Sequence, residues 1–151
     1  MSDRIAKEIE LHAPVARVWR ALTDYREFGA WFGVAFDSGP FSLGEEMRGH
    51  PTHPGYEHVD WRATVRAMEP ERLFAFTWHP YAVDESADYS SEPTTLIEFR
   101  LEPIATGTRL TIVESGFEKI PPHRRAEALR MNEQGWSQQI LNIRDYVAQH
   151  P

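Results

Sequence analysis

The 151-residue sequence contains no cysteine. That excludes disulfides, zinc–thiolate sites and thiol nucleophiles together, and makes a cytoplasmic location the expectation. Long apolar runs are missing too. The longest weakly polar stretch, Gly29 to Phe36, is far shorter than the roughly 20 residues of a membrane-spanning helix, so no membrane partner is expected. The opening Met1-Ser2-Asp3-Arg4 leads straight into a charged segment, and nothing in it suggests export. Positive charge is scarce and scattered: 16 Lys and Arg stand against 23 Asp and Glu, the formal charge is −7, and no basic run exceeds the pair Arg124-Arg125. Without a basic patch there is no electrostatic footprint for nucleic acid, and none is expected as a partner. A phosphate-cradling glycine loop, a nucleophile elbow and a spaced Ser/His/Asp set are also lacking. Covalent catalysis and a bound cofactor are therefore not expected.

What is present suits an ordinary globular chain. Apolar residues make up 41% and charged residues 26%, close to globular averages. A chain of this length is expected to form a single domain over residues 1–151 and to bury roughly 68–70% of its unfolded surface.

Arg4 to Leu11 alternate loosely and read as a strand that stops at His12-Ala13-Pro14. Pro14 suits a helix start, and Val15, Val18, Trp19 and Leu22 recur at helical spacing as far as about Asp24. A second short helix follows through Phe28, Trp31 and Phe32. Brief strands are expected near Val34–Asp37 and Glu45–Gly49, then a loop over His50-Pro51-Thr52-His53-Pro54-Gly55. Tyr56 to Met68 reads as one long half-buried strand with Val59, Trp61, Ala63, Val65 and Ala67 on its apolar side. Leu73 to His79 reads as the next strand, followed by an acidic loop from about Pro80 to Pro93. Thr95, Ile97, Phe99 and Leu101 then pair through Ala105-Thr106-Gly107 with Leu110, Ile112 and Glu114 as a hairpin. After Pro121-Pro122, the residues Leu129, Trp136, Ile140, Ile143 and Val147 mark a long core-facing helix.

Several local phrases fall in order along almost the whole chain. They are Ala13-Pro14-Val15-Ala16-Arg17-Val18-Trp19-Arg20-Ala21-Leu22-Thr23-Asp24, Trp31-Phe32, Glu69-Pro70-Glu71-Arg72-Leu73 through Trp78, Gly107-Thr108-Arg109-Leu110-Thr111 through Ser115-Gly116-Phe117, and Asn132-Glu133-Gln134-Gly135-Trp136. In that order they resemble the activator of Hsp90 ATPase homologue 1-like family, a branch of the START-related superfamily. The resemblance implies an α+β helix-grip fold of the START/Bet v 1-like kind. In it a curved antiparallel sheet of about six to seven strands wraps one long C-terminal helix, with two short helices after the first strand. It also implies an apolar pocket between sheet and helix. The cochaperone proper carries a separate Hsp90-binding domain that this chain lacks, so interaction with Hsp90 is not expected.

Glu114 continues the inward parity of Leu110 and Ile112, which would aim its carboxylate at the pocket as an anchor or proton donor. A bulge near Ser115-Gly116 would instead turn it to solvent or a salt bridge. Asn132 sits where the helical stripe should be apolar and so needs a partner, either in the sheet or in a ligand. Gly135 beside Trp136 suggests close helix–sheet packing or room for something bound. Trp31, Phe32, Phe41, Trp61, Phe74, Phe76, Trp78 and Trp136 are candidate pocket walls, with core packing as the alternative for each. Tyr56, His79, Tyr81 and Tyr89 fall near the expected pocket mouth. His50, His53 and His58, with Glu57 and Asp60, lie in irregular chain that fixes no convergence, so no metal site is expected. The leading expectation is a binder of a small apolar or aromatic molecule. The alternatives are a cyclase, isomerase or hydrolase using Glu114 as acid/base, and a protein-interaction module. A homodimer through the Gly29–Phe36 segment is a further expectation.

Overall fold

The computed structural model describes residues 3–84 and 86–151. Met1 and Ser2, which open the segment read for export, and Glu85 in the acidic loop lie outside the described residues. The elements are β1 (Ile5–Leu11), α1 (Val15–Thr23), α2 (Tyr25–Phe32), β2 (Val34–Phe36), β3 (Glu46–Pro51), β4 (Trp61–Glu69), β5 (Leu73–Trp78), β6 (Thr95–Ile104), β7 (Gly107–Ser115), a 3₁₀ turn (Phe117–Lys119) and α3 (Pro122–Gln149). The strands form one antiparallel sheet in the order β1-β7-β6-β5-β4-β3-β2. Together they make the helix-grip arrangement: a curved seven-stranded sheet, two short helices after β1, and a long C-terminal helix.

Local chemistry sets the joints. Extended Asp24 separates α1 from α2, and its carboxylate accepts from the N–H groups of Arg26 (2.9 Å) and Glu27 (3.4 Å), which caps α2. Gly33 closes α2 at φ 90°, a left-handed conformation natural to glycine. Inside α2, a Cβ on Gly29 would lie 2.3 Å from the Val34 carbonyl oxygen, so only glycine lets the helix sit this close to β2.

β4 is shorter than its alternation suggests. Tyr56–Asp60 turn instead, through Tyr56 N–H to His53 O (3.1 Å) and Val59 N–H to Tyr56 O (3.0 Å), because β3 offers a partner only as far as Trp61. The missing length reappears in β3, where His50 and Pro51 pair with Ala35 and Val34 of the edge strand β2 rather than forming a loop. A bulge between Val65 and Ala67 then shifts the parity of β4. Met68, not Ala67, packs on the core beyond it.

The space between sheet and α3 is largely filled by aromatic rings. Phe28 sits at its centre, stacked on Phe32 at 4.7 Å and edge-on to Trp31, Phe41, Phe74, Phe76 and Phe99 at 5.0–6.3 Å. From α3, Ala128, Trp136, Ile140, Ile143 and Val147 close this core, while Leu129 is only partly buried at its margin. Trp31, Phe32 and Val34 point into the same core. The Gly29–Phe36 segment therefore has no exposed apolar face of the kind the expected homodimer required.

Candidate functional site

The inward parity of β7 holds through Glu114, which is fully buried. No bulge diverts it: β7 keeps a continuous register with β6 as far as Ser115. Among the described residues four uncharged donors reach the carboxylate, and no ion pair to it is formed. Oε1 accepts from the Trp136 indole N–H at 2.7 Å and Oε2 from the Trp78 indole N–H at 2.8 Å. The Thr95 hydroxyl donates to Oε2 at 2.5 Å. The Asn132 amide reaches both oxygens, at 3.0 and 3.1 Å. The donors come from the end of β5, the start of β6 and the middle of α3, so this single carboxylate ties the sheet to the helix. Burial pushes the Glu114 carboxyl above its ordinary range, and the four hydrogen bonds pull the other way.

In front of this cage the molecule is open. A cleft of about 960 Å³ runs past the ends of β4 and β5 beneath the segment 79–94. Phe32, Trp61 and Trp78 form an aromatic wall along it, with neighbouring ring centroids 5.7–6.3 Å apart. A smaller recess of about 90 Å³ adjoins it, lined by Phe32, Trp78, Asn132, Gly135, Trp136 and Gln139. Asn132, Phe32 and Trp78 border both spaces. Gly135 leaves room rather than packing closely: no neighbouring atom comes within 4 Å of where its Cβ would stand.

Of the residues singled out from sequence, Trp61, Trp78, Asn132 and Trp136 border open space. Glu114 lies immediately behind them. Trp31, Phe41 and Phe76 are buried in the aromatic core and border neither opening. Tyr56, His79, Tyr81 and Tyr89 all stand around the large cleft. His53 and His58 also border it, but His53 packs against Tyr56 (5.6 Å), while His50, on β3, faces Asp37 (3.5 Å). Among the described residues no group of three or more His, Asp or Glu is placed to hold a metal ion.

Phe32, one of the aromatics expected to line a cavity, borders both openings, whereas Thr95 and Gln139 belong to the site without having been singled out for it. Gln139 follows Asn132 by two helical turns on the same face, a spacing visible in sequence. The placing of Thr95 depends on the β6–β7 register, which sequence does not display. Arg124 of α3 supports the cleft's covering segment. Its guanidinium donates to Glu92 Oε1 and Pro80 O, both at 2.8 Å, and lies over the Tyr89 ring at 4.8 Å. Among the described residues no helix is long and apolar enough to cross a membrane.

Solved structures share this architecture. Protein MLL2253 from Mesorhizobium loti is 22% identical, with a TM-score of 0.75 and 98% of each chain covered. A protein from Arthrobacter aurescens solved by NMR is 21% identical, with a TM-score of 0.76 over 97% of this chain and 86% of that one. DynU16, from the dynemicin biosynthetic locus, is 23% identical with a TM-score of 0.73; the chain is covered over 98% of its length but spans about half of that protein (48%). These likenesses establish the fold. No curated protein matches the sequence. The profile described as Activator of Hsp90 ATPase homolog 1-like protein matches residues 12–148, almost the whole described chain. The chain therefore belongs to the activator of Hsp90 ATPase homologue 1-like family.

Proposed function

We propose that this protein binds a small molecule with an aromatic or apolar body in the cleft along Phe32, Trp61 and Trp78. The supporting observation is the cleft itself. About 960 Å³ lies against an aromatic wall, at the upper end of the range for small-molecule sites, with polar and charged side chains around the rest of its lining. An acid/base role for Glu114 is not favoured. Its oxygens already accept from Trp78, Thr95, Asn132 and Trp136, so no lone pair is directed at the cleft. Hsp90 binding forms no part of this reading.

Trp61 and Trp78 make the site report on itself. Titration with a panel of small aromatic compounds should change tryptophan fluorescence and raise the melting temperature with concentration, as mass action requires. Replacing Trp61 by Ala removes one wall and should weaken the best binder about tenfold. Unchanged affinity in that variant, or no response across the panel, would contradict the reading.

A further inference from the structure

The polar character of the cleft's inner end is one-sided. All of the groups around Glu114 are donors already engaged with it: the indole N–H groups of Trp78 and Trp136, the Thr95 hydroxyl and the Asn132 amide nitrogen. Indole N–H and amide N–H can only donate, so three of the four partners suit an ionised carboxylate, and only the Thr95 hydroxyl could accept from a protonated one. The consequences reach the open space. Trp78 and Trp136 have no donor left for a ligand and can offer only carbon and π surface. An indole whose N–H is bound to an anion is polarised towards greater electron density on its ring, which favours cations.

Asn132 adds a second, independent observation. Because its nitrogen must face the carboxylate, its carbonyl oxygen is turned away from Glu114. Among the described residues that oxygen accepts no hydrogen bond, and Asn132 borders both the cleft and the recess. The inner end thus offers polarised rings, one free acceptor and a negative charge held behind them without a cation.

The cations elsewhere along the cleft do not offset this. Arg62 is paired with Asp60 at 2.7 Å and Glu46 at 3.5 Å. Arg66 donates to the uncharged Thr77 hydroxyl at 3.0 Å and keeps its charge, but the carboxylates of Glu46, Asp60, Asp84 and Asp88 outnumber the guanidiniums of Arg62 and Arg66 along the cleft. Asp84 and Asp88, in the covering segment, are held below the usual carboxylate range by hydrogen bonds from Ser86 and Ser90 and stay charged near neutrality.

We infer that the ligand of this cleft carries a positive charge: an amine or ammonium group on an aromatic or apolar body, its cation entering the adjoining recess between Trp78 and Trp136 beside the Asn132 carbonyl, with Glu114 as the buried counter-charge. This rests on the binding reading above and narrows it to one ligand class.

Three probes of similar size separate the possibilities: 2-phenylethylammonium, 2-phenylethanol and phenylacetate, titrated against the native chain by tryptophan fluorescence near neutral pH. The ammonium should bind about tenfold more tightly than the alcohol, and the carboxylate most weakly. In Glu114→Gln, which keeps the side-chain volume, the ammonium's advantage over the alcohol, both measured on that variant, should collapse to within about twofold. If Glu114→Gln loses its fold by circular dichroism, the ranking on the native chain decides, together with Trp61→Leu as a second folded variant. Equal binding of ammonium and alcohol, or an advantage that survives Glu114→Gln, overturns the cation inference and leaves the binding reading standing. Binding by none of the three overturns the inference, and the broader panel then decides the binding reading separately.

Discussion

Glu114 and its four donors form an arrangement in which loss and neutralisation have different consequences. Glu114→Ala would leave the Trp78, Trp136, Thr95 and Asn132 donors without an acceptor in a buried place. The expected loss is about 3–5 kcal/mol in urea unfolding. Glu114→Gln retains a carbonyl oxygen for the indoles and should lose less than half of that; equal losses in the two variants would argue that the charge, which both remove, matters there rather than volume or a single acceptor oxygen. Protonation provides an independent check. Burial raises the folded-state pKa above the ordinary 4.5, so the native chain holds this proton more tightly than the unfolded chain. The stability contributed by the protonated form is complete below about 4.5 and is lost as the pH rises through the folded-state value. The native chain should therefore gain on Glu114→Gln between about pH 7 and about pH 5. A gap that moves the other way in acid would mean that the four hydrogen bonds outweigh burial. Parity along β7 made the inward aim of Glu114 legible in sequence, and the helical stripe did the same for Asn132. That Trp78 and Trp136 turn their N–H edges onto one carboxylate was not legible, because each indole could equally have packed as carbon.

At the scale of elements, the described residues between β5 and β6 are held by polar contacts to α3 as well as by Tyr81 at the margin of the core. Arg124 joins Glu92, the Pro80 carbonyl and the Tyr89 ring, and His79 contacts the Glu92 carbonyl at 3.0 Å. Arg124→Ala should speed proteolysis within residues 80–92 severalfold while moving the global melting temperature little, since local opening depends on local contacts. Limited proteolysis beside a thermal melt checks this; unchanged cleavage would mean that other contacts hold the segment. Periodicity located this segment as a loop but could not attach it to α3, whose N-terminal turns read simply as charged. The same limit explains the β4 error. Alternation from Tyr56 to Met68 shows which side chains could face a core, but strand length depends on a partner, and β3 provides one only from Trp61. The Val65–Ala67 bulge likewise leaves no mark in the pattern.

For the whole molecule, the central fact is how the interior is divided. Phe28, Phe41, Phe74, Phe76 and Phe99 fill the middle of the grip, and the large cleft lies at the end near Trp61 and Trp78. Phe28→Ala should therefore cost about 3–5 kcal/mol by urea unfolding, as a buried ring at the hub of the cluster. A cost below about 1 kcal/mol would mean that the neighbouring rings collapse into the gap. The residue after α3 is also tied to α1: Arg17 donates to the His150 carbonyl at 2.7 Å and pairs with Glu27 at 2.9 Å. The amino-acid sequence by itself determined the element order, the antiparallel hairpins, the long closing helix and the inward face of most strands. Those follow from local steric preference and from the periods of two and 3.6 residues that burial imposes. Tertiary structure alone decided which aromatic rings are core and which border the cleft, where β3 and β4 exchange length, and that four donors enclose Glu114. Each of these depends on register and close packing between residues far apart in the chain, and a one-dimensional pattern carries no record of such distances.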